Sequence, residues 1–403
     1  MSQQISALEK VILFSIFFPY IGLMQGADVQ PTFIVFSGLL CLLLINKVSR
    51  TSIFLLLVMI IFGFLVLFMD SNITPSKLFL VYIVSLLTPF FIYNFLINNK
   101  IIISLSFIYF ILLIYLFVGT VQLFYPDFLS FLVTRDNTEQ LIESGRGSKS
   151  LTGEPSQFGR VLILINVLFL FEKIVVKKSV DFKKYLYFSV VLLILNIILS
   201  RSFYAFAIHF FIIFIFSYFV AKKYLFLFSL LSIQGIILLY IYIDPSSRFF
   251  IIMDALATNP DFIFNQGAIR RVLNVPISIY ASYQYGGFGA GFSGSNLLVS
   301  SLPFFGYDIP FALLGRNLGG VIEYYLRIGI LSIPLYFAYF FLILRCCSIK
   351  ALYKGRKSSI GHFFAVCAFI LTFLDGSPSD PMKWYFFIYL CVHIPQKTVT
   401  RRP

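Results

Sequence analysis

The feature of this sequence that most restricts its fold is a series of long apolar stretches that runs from one end of the chain to the other. A helix needs about 20 apolar residues to cross the hydrocarbon core of a bilayer, with a range of roughly 17–25. Of the 403 residues, 59% are hydrophobic and only 12% are charged, whereas soluble proteins average about 25% charged residues. The sequence therefore predicts a polytopic membrane protein and excludes a soluble globular enzyme.

Twelve of these stretches are candidate transmembrane helices. They cover residues 7–24, 31–46, 52–69, 77–97, 101–125, 158–176, 185–200, 202–221, 224–243, 320–345, 360–375 and 383–394. The polar residues before the first stretch, and the lack of a small-residue cleavage site after it, favour a retained helix over a signal peptide. We expect an all-α transmembrane domain that extends over residues 1–403.

The distribution of charge gives this scheme an orientation, because cytoplasmic loops carry an excess of Lys and Arg. With the N-terminus inside, the scheme places 19 of the 31 basic residues inside and 12 outside, and it places 14 of the 17 acidic residues outside. Both termini are then cytoplasmic. The net charge of +14 belongs to the cytoplasmic face, so it indicates topology in a lipid bilayer and not nucleic-acid binding.

Arginine dominates the basic residues of the predicted outer face. The nine arginines there are Arg135, Arg146, Arg160, Arg201, Arg248, Arg270, Arg271, Arg316 and Arg327. A planar guanidinium binds phosphate or carboxylate through two N–H groups at once, which an ammonium cannot do. The pattern favours an anionic ligand at the outer face, and the alternative is that these arginines pair with outer acids or lipid headgroups.

Two predicted outer loops, residues 126–157 and 244–319, are far longer than the other connections. Loops of this length are usually functional or disordered. Aromatic and aliphatic residues run through the second loop, so we expect it to be ordered and partly helical against the membrane surface.

The first loop leads into the sixth span through Glu154-Pro-Ser-Gln-Phe-Gly-Arg160. Helix entry accounts for Glu154 and Pro155, because acidic residues and proline favour a first helical turn. Arg160 lies within an apolar helix, where an arginine is costly unless it is paired or faces water, and it is therefore a candidate site residue. Arg201 occupies the short outer turn after the seventh span, where extension of its side chain to the headgroups is the alternative.

The second loop contains Arg270-Arg271, then Tyr280 and Tyr283, then a glycine-rich stretch, 286–294. The glycines lack the strand and helix of a dinucleotide site, but they allow either backbone N–H contacts to an anion or a flexible turn.

The following span contains Asn317, Glu323 and Arg327. Glu323 and Arg327 are four residues apart and share a helix face, so they form an ion pair or provide a carboxylate base. No histidine or cysteine pattern predicts a metal site, and we expect no cofactor.

In their order, these motifs resemble the O-antigen polymerases, the Wzy family, and more distantly the O-antigen ligases. The resemblance rests on E-P-S-x-F-G-R at a helix start, an arginine in a short outer turn, R-R and then G-x-G-x-G in a large loop, and N-L-x-x-x-x-E-Y-Y-L-R-I-G-I-L after it. It implies a GT-C-type glycosyltransferase of the bacterial inner membrane that uses neither metal nor nucleotide sugar.

Such an enzyme transfers a growing glycan from undecaprenyl pyrophosphate onto a new lipid-linked repeat unit at the periplasmic face, and its expected partner is a chain-length regulator. By resemblance, Arg201 and one of Arg270 or Arg271 hold the pyrophosphate, and Arg160 and Arg327 add contacts. Tyr280, Tyr283 and Asn317 are the residues expected to contact the glycan. Glu323 is the expected base, with Glu154 as second choice.

Two other functions stay open from the sequence. An O-antigen ligase would transfer glycan to lipid A core, but the ligases have a histidine near the start of the helix that follows the large loop, where this chain has Asn317 and Glu323. A flippase of lipid-linked oligosaccharide needs a charged central cavity, and charge within the predicted spans is scarce.

Overall fold

The structure is a computed structural model, and the description that follows concerns the part of the chain that it describes. This part comprises residues 7–22, 32–43, 87–96, 103–133, 146–179, 181–220, 301–304, 307–310, 329–333, 356–371 and 380–393, with single positions 53, 57, 60, 61, 254, 258, 283, 287 and 337.

Helices make up most of the described chain. They are α1 (Ala7–Phe17), α2 (Thr32–Leu43), α3 (Leu87–Leu96), α4 (Leu105–Phe124), α5 (Pro155–Phe171), α6 (Phe182–Ser200), α7 (Phe203–Phe219), α8 (Arg356–Phe369) and α9 (Pro381–His393). Three of these helices begin at a clear local signal. Ser104, Asp181 and Ser202 each precede a helix and accept a hydrogen bond from the backbone N–H three residues later, which satisfies one of the unpaired donors of a first turn.

Helix α5 lies at the centre of the bundle. Fifteen of its 17 residues are buried, and it packs against α4, α6, α7 and α9. Its contact with α4 is close because Gly119 has no side chain: a Cβ at that position would lie 2.8 Å from the ring of Phe158. A helix that is buried along nearly its whole length by other helices fixes the position of the polar residues at its ends.

Helices α5 and α6 run in opposite directions, as do α6 and α7. Gly159, near the start of α5, lies against Ser200 at the end of α6 and against Ala205 at the start of α7. We call this end of the bundle, which holds Arg160 and Arg201, the arginine end.

The ends of α1 and α9 show the same alternation. Tyr20, just after α1, donates a hydrogen bond to Asp380, just before α9. At the opposite end, which we call the glutamate end, Tyr389 of α9 donates to Glu172 in the π-helical turn that follows α5. The start of α9 thus lies beside the end of α1, and the end of α9 lies beside the end of α5.

Two described helices are long and apolar enough to cross a membrane. They are α4, with 20 residues, and α6, with 19. Phe110, Leu113 and Phe117 on one face of α4 are 55%, 64% and 61% exposed, and contiguous apolar surface of this kind is uncommon on soluble monomers. These observations are compatible with a membrane protein. Twelve spans stay a prediction, since segments 52–69, 224–243 and 320–345 lie largely outside the described residues.

One element departs from the all-α prediction. Strands β1 (Ser301–Phe304) and β2 (Tyr307–Pro310) form an antiparallel hairpin in the second predicted loop, with Phe304 opposite Tyr307. Aromatic residues favour strands, and a separation of two residues favours a hairpin; the sequence analysis expected this loop to be partly helical and did not anticipate strands. Helical backbone occurs at Asp254, Thr258 and Tyr283 of the same loop.

Candidate functional site

The segment that precedes α5 packs directly on the end of α6. A Cβ at Gly147 would come within 2.0 Å of the Leu199 carbonyl oxygen, and the Ser148 backbone N–H donates to that oxygen at 2.8 Å. Only glycine permits such an approach. Arg146, which is half-buried, is therefore held next to the last residues of α6.

The start of α5 packs on the same place from another side. A Cβ at Gly159 would lie 2.4 Å from the Ala205 Cβ and 3.1 Å from the Ser200 hydroxyl oxygen. The Asn196 side-chain amide donates to the Gly159 carbonyl at 3.3 Å. The backbone next to Arg160 is thereby fixed against the turn between α6 and α7.

Arg201 ends α6 in a conformation that arginine rarely adopts. Its φ of 46° and ψ of 29° lie in the left-handed region, where a side chain other than glycine costs roughly 1–2 kcal/mol. Its Nε is buried and has no hydrogen-bond partner among the described residues. Such backbone strain is concentrated at functional sites.

The backbones of three arginines thus lie close to the end of α6. Arg146 and Arg160 each adjoin a glycine that contacts Leu199 or Ser200, and Arg201 directly follows Ser200. All three side chains are half-buried. We call them the arginine cluster. Guanidinium groups that reach one phosphate-bearing ligand can donate several charge-assisted hydrogen bonds to it.

The chain between Arg146 and α5 is buried although it forms neither helix nor strand. Its polar side chains hold it in place: Ser150 donates to the Tyr115 carbonyl at 2.8 Å, and Thr152 donates to the Lys149 carbonyl at 2.7 Å. Gln122 of α4 donates to the Ser150 carbonyl at 3.2 Å. This part of the first predicted loop therefore forms a rigid wall beside the arginine cluster.

Glu154 occupies the position just before α5, and Pro155 begins the helix, as predicted. The carboxylate does not cap the helix; it accepts a hydrogen bond from the Ser156 hydroxyl at 3.2 Å. Glu154, Ser156 and Arg160 are all partly exposed. The structure thus brings a carboxylate and an arginine to the same end of one helix.

Asp380 is a charged residue of the arginine end that the sequence analysis did not select. It is 5% exposed, and its carboxylate accepts from the Met382 backbone N–H at 2.9 Å and from the Tyr20 hydroxyl at 3.2 Å. Burial raises the pKa of this carboxyl, while the charges of Lys383 and Arg160 act against that effect. The Asp-Pro pair at a helix start was the available signal.

A fully buried polar network supports the arginine cluster from within the bundle. The two ring nitrogens of His209 lie 3.0 Å from the Asn166 amide nitrogen and 3.2 Å from that of Asn196. Asn196 in turn accepts from the Ser200 hydroxyl at 2.7 Å. Hydrogen bonds therefore connect α5, α6 and α7 directly below Arg201. His209 is fully buried.

Most of the remaining residues that the sequence analysis selected lie outside the described part of the chain. Tyr283 is 77% exposed. Gly287, in the glycine-rich stretch, has a φ of +87° and accepts a backbone hydrogen bond from Ile330 at 2.8 Å, so Gly287 lies beside a residue that follows Arg327 closely in sequence. Outside the described residues lie Arg270, Arg271, Tyr280, Asn317, Glu323 and Arg327. The described residues contain no group of three His, Cys, Asp or Glu side chains arranged to hold a metal ion.

No protein family, curated protein or solved structure matches this chain. The chemistry of the site is therefore the basis for assigning a function.

Proposed function

We propose that this protein is a metal-independent glycosyltransferase of the O-antigen polymerase type, which uses undecaprenyl-pyrophosphate-linked oligosaccharides at the periplasmic face of the bacterial inner membrane. The observation that supports it most is that the backbones of Arg146, Arg160 and Arg201 come together near Ser200. Three cations on a rigid backbone at the end of an apolar bundle suit a ligand with a diphosphate and a lipid tail.

The reaction explains why such a cluster would be useful. When an acceptor hydroxyl attacks the anomeric carbon, the bond from that carbon to the pyrophosphate oxygen breaks and the lipid pyrophosphate leaves with added negative charge. Fixed guanidinium groups stabilise this charge more in the transition state than in the ground state, and that difference accelerates the reaction. The arginines would act in place of a metal ion.

The proton of the attacking hydroxyl needs an acceptor. Glu154 is the described carboxylate best suited to this role, because it is partly exposed and lies six residues before Arg160 at the start of α5. Glu323 remains the base that the sequence analysis predicts. The Ser156 hydroxyl, which donates to Glu154, would orient the carboxylate and keep it ionised.

The direct test is polymerisation by the purified protein in nanodiscs. The sole substrate is a lipid-pyrophosphate-linked repeat unit, with excess chelator and no nucleotide sugar. A ladder of longer glycans with released lipid pyrophosphate is expected from the wild type. Arg160→Ala and Arg201→Ala should lose most of this activity.

Lys184→Gln is the matched control for these variants. It removes one positive charge from the glutamate end, where Lys184 forms an exposed ion pair with Asp181, and it should retain full activity. Absence of a ladder, combined with movement of the substrate across a sealed vesicle membrane, would favour a flippase. Transfer to lipid A core without polymerisation would favour a ligase.

A further inference from the structure

The side chain of Asn196, in α6, connects the two segments that carry Arg160 and Arg201. This side chain is fully buried. Its amide nitrogen donates to the Gly159 carbonyl at 3.3 Å, and its amide oxygen accepts from the Ser200 hydroxyl at 2.7 Å. Gly159 directly precedes Arg160, and Ser200 directly precedes Arg201. A single side chain therefore bonds to the residue before each of the two arginines.

The orientation of the Asn196 amide follows from its neighbours. The Gly159 carbonyl can only accept a hydrogen bond, so the amide nitrogen has to face it. The second hydrogen of this nitrogen is then available to Nδ1 of His209, which lies 3.2 Å away. Asn196 thus uses both of its N–H groups and its oxygen, and a buried polar group with all its partners in place has a fixed position.

Ser200 carries this fixed position into the turn that holds Arg201. Its hydroxyl hydrogen is shared between the Asn196 side-chain oxygen at 2.7 Å and the Asn196 backbone carbonyl at 2.8 Å. Its oxygen accepts from the Ser202 backbone N–H at 3.3 Å. The left-handed backbone of Arg201 is therefore held by the residues on both sides of it, and Asn196 ties it to the start of α5.

The separation of two arginines matters more for a diphosphate than for a single phosphate. One guanidinium can bind a phosphate through two parallel N–H···O bonds. The two phosphoryl groups of a pyrophosphate share a bridging oxygen, so two guanidinium groups bind both of them only where their separation matches. A residue that fixes this separation therefore determines how strongly the site prefers a diphosphate.

We propose that Asn196 is a positioning residue that sets the separation of Arg160 and Arg201, and that it thereby makes the arginine cluster selective for a diphosphate over a monophosphate. This inference rests on the proposed function for the identity of the ligand. It assigns to one buried amide a role in specificity, although the amide does not itself touch the ligand.

The experiment measures the affinities of inorganic pyrophosphate and inorganic phosphate for the full-length protein in nanodiscs, and it compares their ratio among variants. Asn196→Ala removes the three side-chain contacts of the amide. Asn166→Ala is the matched control, because this amide is also fully buried and contacts the same histidine, His209. Among the described residues its other partner is Ser189, so it does not bond to the residue before either arginine.

Both variants should unfold at a lower temperature than the wild type, because each loses buried hydrogen bonds. In Asn196→Ala the preference for pyrophosphate over phosphate should fall about tenfold, which corresponds to the loss of one charge-assisted hydrogen bond. In Asn166→Ala the preference should equal that of the wild type. All three proteins carry the same charges, so a change in this ratio reports a change in geometry.

Ser200→Ala gives a second test if Asn196→Ala does not fold. It removes the hydroxyl that bonds to Asn196 and to the Ser202 N–H, and it should lower the preference for pyrophosphate several-fold. An unchanged ratio in folded Asn196→Ala, or in Ser200→Ala, contradicts the inference. An equal decrease in Asn166→Ala also contradicts it, as does a wild type that does not prefer pyrophosphate.

The polymerisation assay separates this inference from the proposed function. If Asn196→Ala loses the preference but the wild type forms no glycan ladder, Asn196 positions the arginines of an anion site and the proposed glycosyl transfer is wrong. If the wild type forms the ladder and Asn196→Ala keeps the wild-type preference, the proposed function stands and the inference is wrong.

Discussion

Gly159 and Ala205 are so close that a Cβ added to the glycine would lie 2.4 Å from the alanine Cβ. This contact joins α5 to the first turn of α7. The same added atom would lie 2.7 Å from the Asn196 side-chain oxygen. The glycine that precedes Arg160 is thus the point at which three helices meet.

Gly159→Ala is therefore expected to separate these helices. Overpacking of a filled core costs typically 1–3 kcal/mol, and thermal unfolding in detergent should show a loss of this order. Pyrophosphate binding should weaken as well, because Arg160 and Arg201 would move apart.

Gly38→Ala in α2 is the matched control for that substitution. An added Cβ there would lie 3.8 Å from the Phe91 ring, an ordinary contact, and alanine is the better residue in a helix by roughly 0.5–1 kcal/mol. It should keep or raise stability and leave binding unchanged. Equal stability losses in both variants would contradict the close packing at Gly159.

Arg201 offers a prediction in which stability and function change in opposite directions. Arg201→Gly removes the strain of the left-handed conformation, while Arg201→Ala keeps it. Both lose the guanidinium. We expect both variants to lose pyrophosphate affinity and glycan polymerisation. The free energy of unfolding of Arg201→Gly should nevertheless be about 1 kcal/mol higher than that of Arg201→Ala. Chemical denaturation of the two variants measures this difference, and equal stability would argue against strain at Arg201.

The helices of this bundle were largely predictable from the sequence. The predicted spans 101–125, 185–200 and 202–221 correspond to α4, α6 and α7, because long apolar runs mark them. Helix α1 is shorter than the first predicted span, 7–24. It ends at Phe17, although the apolar sequence continues beyond that residue.

The arrangement of the site was less predictable. Arg160 and Arg201 were selected because charge at the membrane boundary is costly, a rule that needs no knowledge of packing. Arg146 was counted among the outer arginines but not selected, since its proximity to Ser200 depends on the contact of Gly147 with Leu199. Asp380 was missed because its partner Tyr20 is 360 residues away, and no local pattern encodes such a pairing.

The buried network predicts a strong effect from a residue far from any ligand. His209→Phe would leave the Asn166 amide without its partner in a fully buried site, whereas the Asn196 amide would keep its bond to the Gly159 carbonyl. An unsatisfied group costs about 1–3 kcal/mol, so we expect a loss of about 2 kcal/mol in the free energy of unfolding. His362→Phe is the control: this half-buried ring stacks on Phe219 at 6.1 Å, and phenylalanine can replace it. Similar losses in both variants would show that the network adds no stability.

Arg146 gives the last prediction, which tests the arginine cluster itself. Its side chain is half-buried, and the Ser148 N–H bond to Leu199 holds the neighbouring backbone whatever residue occupies position 146. Arg146→Ala should therefore change stability by less than about 0.5 kcal/mol.

Affinity for pyrophosphate should nevertheless fall about tenfold or more in Arg146→Ala, because a charge-assisted hydrogen bond contributes roughly 1.5–3 kcal/mol. Arg146→Lys keeps the charge but not the two-point donor geometry of a guanidinium, so it should recover only part of the affinity. Isothermal titration with pyrophosphate separates these cases. Full recovery by lysine would mean that charge alone is required, and wild-type affinity in Arg146→Ala would restrict the cluster to Arg160 and Arg201.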